Sequence, residues 1–120
     1  MTTILVTSTA DGTGKTAISI ALARLAQERG ATVGYMKPKG TRLQSVTGKT
    51  RDEDPMLAKE LLDLDAEMHE LEPVVYSPTF VEQAIRGRED PAELRERIEA
   101  NFQDLAADTD LMVVEGGRLW

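Results

Sequence analysis

The stretch that most constrains this chain runs from Thr3 to Gly30, where "TILVTS", "TADGTGKT" and "AISIALARLAQERG" follow one another without a break. The first is a short β-branched apolar run ending in small polar residues, the profile of a buried parallel strand. In the last, Ile18, Leu22 and Leu25 recur at helical spacing among alanines, which predicts an amphipathic helix with those residues as its apolar stripe and Gly30 as its C-terminal glycine. "ATVGYMKP" then reads as a second strand, stopped by Pro38. Strand, glycine-bearing loop, helix and strand make one βαβ unit.

The loop has a chemical reading as well as a topological one. Glycines let successive backbone N–H groups turn toward phosphate oxygens, a lysine reaches the outer phosphates, and a Ser or Thr hydroxyl faces Mg²⁺. Gly12, Thr13, Gly14, Lys15, Thr16 and Ala17 are the candidate phosphate-binding residues, with Lys15 also a candidate catalytic group and Thr16 a candidate metal ligand. A helix that starts at the loop adds its N-terminal partial positive charge. The alternative is a strand–helix turn that ends in Lys-Thr without a ligand. "TGKT" recurs at Thr47 to Thr50, where the sequence shows neither a preceding strand nor a following amphipathic helix. Lys49 is therefore read as a solvated loop residue or a mobile substrate contact.

Residues 39 to 53 are polar and read as an irregular functional loop. Asp54-Pro55 opens a helix over "PMLAKELLDL", with Asp54 as N-cap. "EPVVYSPTF" carries a short extended segment, and Ser77-Pro78 starts another helix. Asp90-Pro91-Ala92-Glu93 begins a helix that runs to about Ala107, with Glu93/Arg97 and Arg95/Glu99 pairs on its wet face. "DLMVVEGG" is an apolar strand followed by an acid and two glycines. Strands joined by helical crossovers imply an α/β, three-layer fold with a parallel sheet and helices on both faces. The chain is read as a single, incomplete nucleotide-binding domain over residues 1–120, truncated after the strand ending at Glu115.

A nucleotide-phosphate site needs an acid for the metal or its water shell, presented at the end of a parallel strand. Glu115 stands there, with a plain strand-end acid as its alternative. Asp54 is the second metal candidate, although an Asp before Pro also serves as a helix cap; Asp52 is the fallback. Lys37 ends the second strand at the carboxyl edge of the sheet, where it can stabilise charge on a transferring phosphoryl group, or else lie in solvent. His69 and the turn arginines Arg86 and Arg88 are read as surface residues.

Composition narrows the classes. With 21 acidic against 14 basic residues and a net charge of −7, a broad nucleic-acid surface is disfavoured, and a halophilic source fits. The absence of cysteine removes disulfides and thiolate chemistry and fits the cytoplasm. No apolar run reaches the length of a signal core or a membrane span.

With these residues together, the chain resembles the dethiobiotin synthetase group of P-loop enzymes. Within that group it resembles the dethiobiotin-synthetase-like N-terminal domain of the phosphotransacetylase family, with cobyrinic acid a,c-diamide synthase a further relative. "VTSTADGTGKT", "MKP", "DEDPMLA" and "VVEGG" carry the resemblance in order and spacing. Relatives place the first loop glycine at the position of Ser8, and Ala10 separates the chain from partition and nitrogenase-iron-protein ATPases, which carry a lysine near the loop start. The resemblance implies ATP and Mg²⁺ as cofactors, Lys15 and Thr16 on the phosphates and metal, Asp54 and Glu115 completing the metal site, and Lys37 facing the γ-phosphate. It implies phosphorylation of a carboxylate or carbamate for ligation or cyclisation, with a small carboxylate or amine as substrate. The alternative is a nucleotide-sensing module of a phosphotransacetylase-like protein. A homodimer and further C-terminal domains also fit the resemblance.

Overall fold

The computed structural model describes residues 2–8, 14–40, 43–46, 49–75 and 77–118. Its centre is a three-stranded parallel sheet of β1 (Thr2–Ser8), β7 (Leu111–Arg118) and β2 (Val33–Met36), in the order β1-β7-β2. β7 pairs with β1 from Thr2↔Leu111 to Val6↔Glu115 and with β2 from Val33↔Leu111 to Met36↔Val114. The last strand in sequence thus lies between the first two. The helical crossovers of the chain make that parallel insertion sterically ordinary.

Strand alternation assigns the faces. Val33, Tyr35 and Val113 point to one face, where they form a core with Ile20 and Ala23 of α1 (Lys15–Glu28) and Ala58 and Leu62 of α2 (Glu53–Leu62). Met36 and Met112 point to the other, against Ala106, Phe102 and Leu105 of α5 (Pro91–Ala106). Gly34 also lies on the α5 side, where an added Cβ would come within 2.4 Å of Met112 Sδ and 3.2 Å of Thr109 Cγ2. The glycine leaves room for the Met112 side chain of the neighbouring strand. Helix, sheet and helix make the three layers that the sequence predicts.

Helix α1 corrects one expectation. It buries Ser19, Ile20 and Ala23, whereas Ile18, Leu22 and Leu25 are 55%, 40% and 46% exposed. Its small residues face the sheet because close approach to β7 and α2 leaves little room for larger ones. The C-terminus behaves as the sequence predicts: Gly30 has φ +90°, its N–H reaches Gln27 O at 3.0 Å, and Ala31 N–H reaches Ala26 O at 3.0 Å.

The polar segment 39 to 53 also departs from its reading as an irregular loop. β3 (Lys39–Gly40) pairs in parallel with β6 (Val74–Val75), and β4 (Leu43–Val46) pairs antiparallel with β5 (Lys49–Asp52). Polar side chains hide such strands from a hydrophobic-periodicity reading, since cross-strand backbone bonding does not require an apolar face. The second "TGKT" therefore does follow a strand, but Lys49 opens another strand with Val46 as its partner, not a helix.

α4 (Pro78–Ile85) and α5 start where predicted. The Ser77 side chain accepts from Phe80 N–H at 3.1 Å, and Asp90 accepts from Ala92 N–H at 3.0 Å. α3 (Met68–Leu71) is a single short turn closed by a Glu67/Glu70 capping box. Among the described residues the predicted Glu93/Arg97 ion pair is not formed; Arg97 donates to Pro73 O at 3.3 Å instead. Among the described residues no helix is long and apolar enough to cross a membrane.

Candidate functional site

The βαβ unit delivers Lys15 and Thr16 to the carboxyl edge of the sheet. Gly14 caps α1 in the left-handed region, φ +81°, and its carbonyl accepts from Ile18 N–H at 3.0 Å. A glycine there lets the backbone leave the loop and enter the helix without Cβ strain. Behind it, buried Ser19 donates to Lys15 O at 2.9 Å and pins the first turn. Lys15 and Thr16 are half-buried, while Ala17 is exposed. Gly12 and Thr13 lie outside the described residues.

Glu115 sits inside β7, which runs on to Arg118, and is fully buried. Thr16 Oγ1 donates to Glu115 Oε1, and Tyr35 Oη donates to Glu115 Oε2. One hydroxyl comes from the start of α1 and the other from β2, so the glutamate ties the helix start to the sheet. By giving its single proton to the carboxylate, Thr16 keeps both oxygen lone pairs for another partner.

Lys37 forms the second half. It follows Met36, which pairs with Val114, so Lys37 stands beside Glu115 at the strand end, on strands about 4.8 Å apart. Its Nζ donates to Asp54 Oδ2 at 2.8 Å, with the two side chains only 2% and 6% exposed. Asp54 lies in the first turn of α2, after Glu53, and is not its N-cap. A solvated strand-end lysine is thereby ruled out, and so is a purely capping role for Asp54. Such a buried pair adds little stability over apolar residues of the same volume, because desolvation offsets the attraction.

Among the described residues no three His, Cys, Asp or Glu side chains converge as a metal cage. The oxygen donors present, the Thr16 hydroxyl and the Glu115 and Asp54 carboxylates, suit Mg²⁺, which keeps several waters and binds through one or two carboxylates plus phosphates. The fallback Asp52 lies in β5, and nothing further is described of its side chain. His69 is exposed, and its carbonyl accepts from Asn101 Nδ2 at 3.2 Å. Arg86 pairs with Glu82 at 2.9 Å beside Gly87, a solvated turn as predicted.

A hollow of about 510 Å³ lies between α5 and the sheet, lined mainly by Met36, Pro38, Ile98, Phe102 and Val114. It opens on the face opposite Glu115. Being mostly apolar, it is no phosphate site.

The sequence reading missed Tyr35. Its signal is the strand period itself: Tyr35 and Lys37 share the face of Glu115, so a tyrosine two residues before the site lysine is placed to reach the acid.

A glycine-led helix start facing a buried acid on the neighbouring parallel strand defines a P-loop domain. A family model described as an AAA domain (AAA_26) matches residues 2–118, and the chain belongs to this family of dethiobiotin-synthetase-like P-loop domains. The chain is 32% identical over 114 residues to the ATP-dependent dethiobiotin synthetase BioD of Methanococcus vannielii, a match covering 94% of this chain and 50% of that protein. It is 30% identical to the phosphate acetyltransferase of Haemophilus influenzae over 115 residues, 95% of this chain and 15% of that one. A dethiobiotin synthetase of Chromohalobacter salexigens is 29% identical over 121 residues, covering 100% of this chain and 51% of its own length. The chain thus spans about half the length of the dethiobiotin synthetases it matches.

Proposed function

We propose that this chain is the Mg-ATP-binding domain of an enzyme of dethiobiotin synthetase type, which phosphorylates a carboxylate or carbamate for ligation or cyclisation. The observation that carries the reading is the Thr16–Glu115 hydrogen bond at the carboxyl edge of the sheet, beside the Lys37–Asp54 pair. The relatives named as ATP-dependent synthetases support the nucleotide. Mg²⁺, held through Thr16, Glu115 and Asp54, would neutralise phosphate charge.

Lys15 and the N–H groups at the start of α1 hold the phosphates, with Gly12, Thr13, Gly14 and Ala17 supplying the backbone path. An acceptor carboxylate or carbamate oxygen attacks the γ-phosphorus as the bond to the bridging oxygen breaks, and ADP leaves with that electron pair. Lys37 faces the transferring group and stabilises its charge, with Asp54 holding the ammonium in place. An amine then attacks the activated carbonyl carbon and expels phosphate. The substrate is a small molecule bearing a carboxylate or amine, and the setting is cytoplasmic, with pairing to a second copy in keeping with the type. The test is ADP release: it should appear only when a suitable carboxylate or amine is present with Mg-ATP. No acceptor-dependent release across a panel of diamines and carboxylic acids would count against catalysis.

A second reading has its own observation. The match to a phosphate acetyltransferase takes in 95% of this chain but only 15% of that protein. We infer from this that the same domain also suits a nucleotide-sensing role attached to an acyltransferase, which predicts ATP binding without acceptor-dependent turnover.

A further inference from the structure

We propose that Tyr35 is a positioning residue for the metal half of the site: it holds the Glu115 carboxylate, and through it the Thr16 hydroxyl. This rests on the Mg-nucleotide reading above. Tyr35 is fully buried, and its ring packs in the core with Val33, Ala58, Leu62 and Val113. Its hydroxyl reaches Glu115 Oε2 from β2, while Thr16 reaches Oε1 from α1.

The terminal torsion of a glutamate is broad and nearly two-fold, so one hydrogen bond alone leaves the carboxylate free to turn and exchange its oxygens. A second donor from the opposite side fixes the plane. The ring that supplies it is itself locked by packing, so Oε1 stays on Thr16. Thr16 then has its one proton committed and its lone pairs directed away from Glu115. Groups that orient a metal's ligands without touching the metal set its affinity by about 10- to 100-fold. A tyrosine merely satisfied in a core would contribute packing alone.

Tyr35→Phe separates the two roles because it keeps the ring and removes only the hydroxyl. Calorimetry should show nucleotide binding without metal unchanged from the wild type. The apparent affinity of the nucleotide complex for Mg²⁺, or for Mn²⁺ followed by electron paramagnetic resonance, should fall about 10-fold. A variant with wild-type metal dependence, whatever its melting temperature, would overturn the proposal while leaving the nucleotide reading intact. A wild-type protein whose nucleotide binding ignores Mg²⁺ would overturn both.

A second measurement does not depend on Tyr35→Phe folding. In protein labelled with 3-fluorotyrosine, with Tyr76→Phe used to assign the Tyr35 signal, adding Mg²⁺ to the nucleotide complex should shift the ¹⁹F resonance of Tyr35. An unmoved resonance would overturn the proposal.

Discussion

Lys37 and Asp54 meet at 2.8 Å in a site where neither side chain is more than 6% exposed, joining the end of β2 to the first turn of α2. The pair sits beside Glu115 at the carboxyl edge of the sheet, where open α/β folds bind ligands. Breaking a buried ion pair by removing one member costs about 3–5 kcal/mol. Lys37→Met alone should therefore lower the denaturant midpoint strongly. The double variant Lys37→Met/Asp54→Leu should recover much of that loss without recovering acceptor-dependent turnover. Equal stability of the single variant and the wild type would show that the pair is not buried in solution.

The two faces of α1 predict opposite responses to substitution. Ala23 is fully buried against the sheet, so Ala23→Leu should cost about 1–3 kcal/mol through overpacking. Ile18 is 55% exposed, so Ile18→Ser should stay within about 0.5 kcal/mol of the wild type. Chemical denaturation of the two variants checks both. A reversed order would mean that Ile18, Leu22 and Leu25 are the packed stripe after all.

Gly34 gives a sharper test of the opposite layer. Gly34→Ala places a methyl within 2.4 Å of Met112 Sδ and 3.2 Å of Thr109 Cγ2, so the Met112 side chain must shift, and about 1 kcal/mol of stability should be lost. Shortening the neighbour in Gly34→Ala/Met112→Val should cost less than the two single effects added. Strict additivity would place the two residues out of contact.

Helix α5 depends on its cap. Asp90→Ala removes the acceptor for Ala92 N–H and should cost about 1 kcal/mol, with Asp90→Asn costing much less. Thermal melts of the two variants make the comparison, and indistinguishable melts for Asp90→Ala and wild type would remove the cap from the account.

Much of this architecture is legible in the sequence because it rests on strong periodic signals. "TILVTS", "ATVGYM" and "LMVV" are apolar enough to announce β1, β2 and β7, and Ser77-Pro78 and Asp90-Pro91 announce their helices by capping chemistry. The two valines of β6 announce a short extended segment, but β3, β4 and β5 lie in a polar stretch without a strand period, so their pairing is not legible. The buried face of α1 is hidden from the sequence for a related reason. Leu and Ile at helical spacing look like a core stripe, yet close packing against a sheet selects Ser19 and Ala23 instead.

Motif order names Lys15, Thr16, Lys37, Asp54 and Glu115 as candidates, and the structure pairs Thr16 with Glu115 and Lys37 with Asp54. What motif order does not carry is partnership. That Asp54 meets Lys37, and that Tyr35 meets Glu115, follows from strand register and helix placement. Ion-pair patterns on an exposed helix were the least legible, as Arg97 shows by turning to Pro73.

The central claim is that Lys15 and Thr16, at the start of α1, bind the phosphates of a Mg-nucleotide. Isothermal titration of Mg-ATP into the wild-type protein and into Lys15→Ala tests it most directly. Saturable binding by the wild type should be lost in Lys15→Ala at unchanged thermal stability. Equal affinity in the two proteins would contradict it.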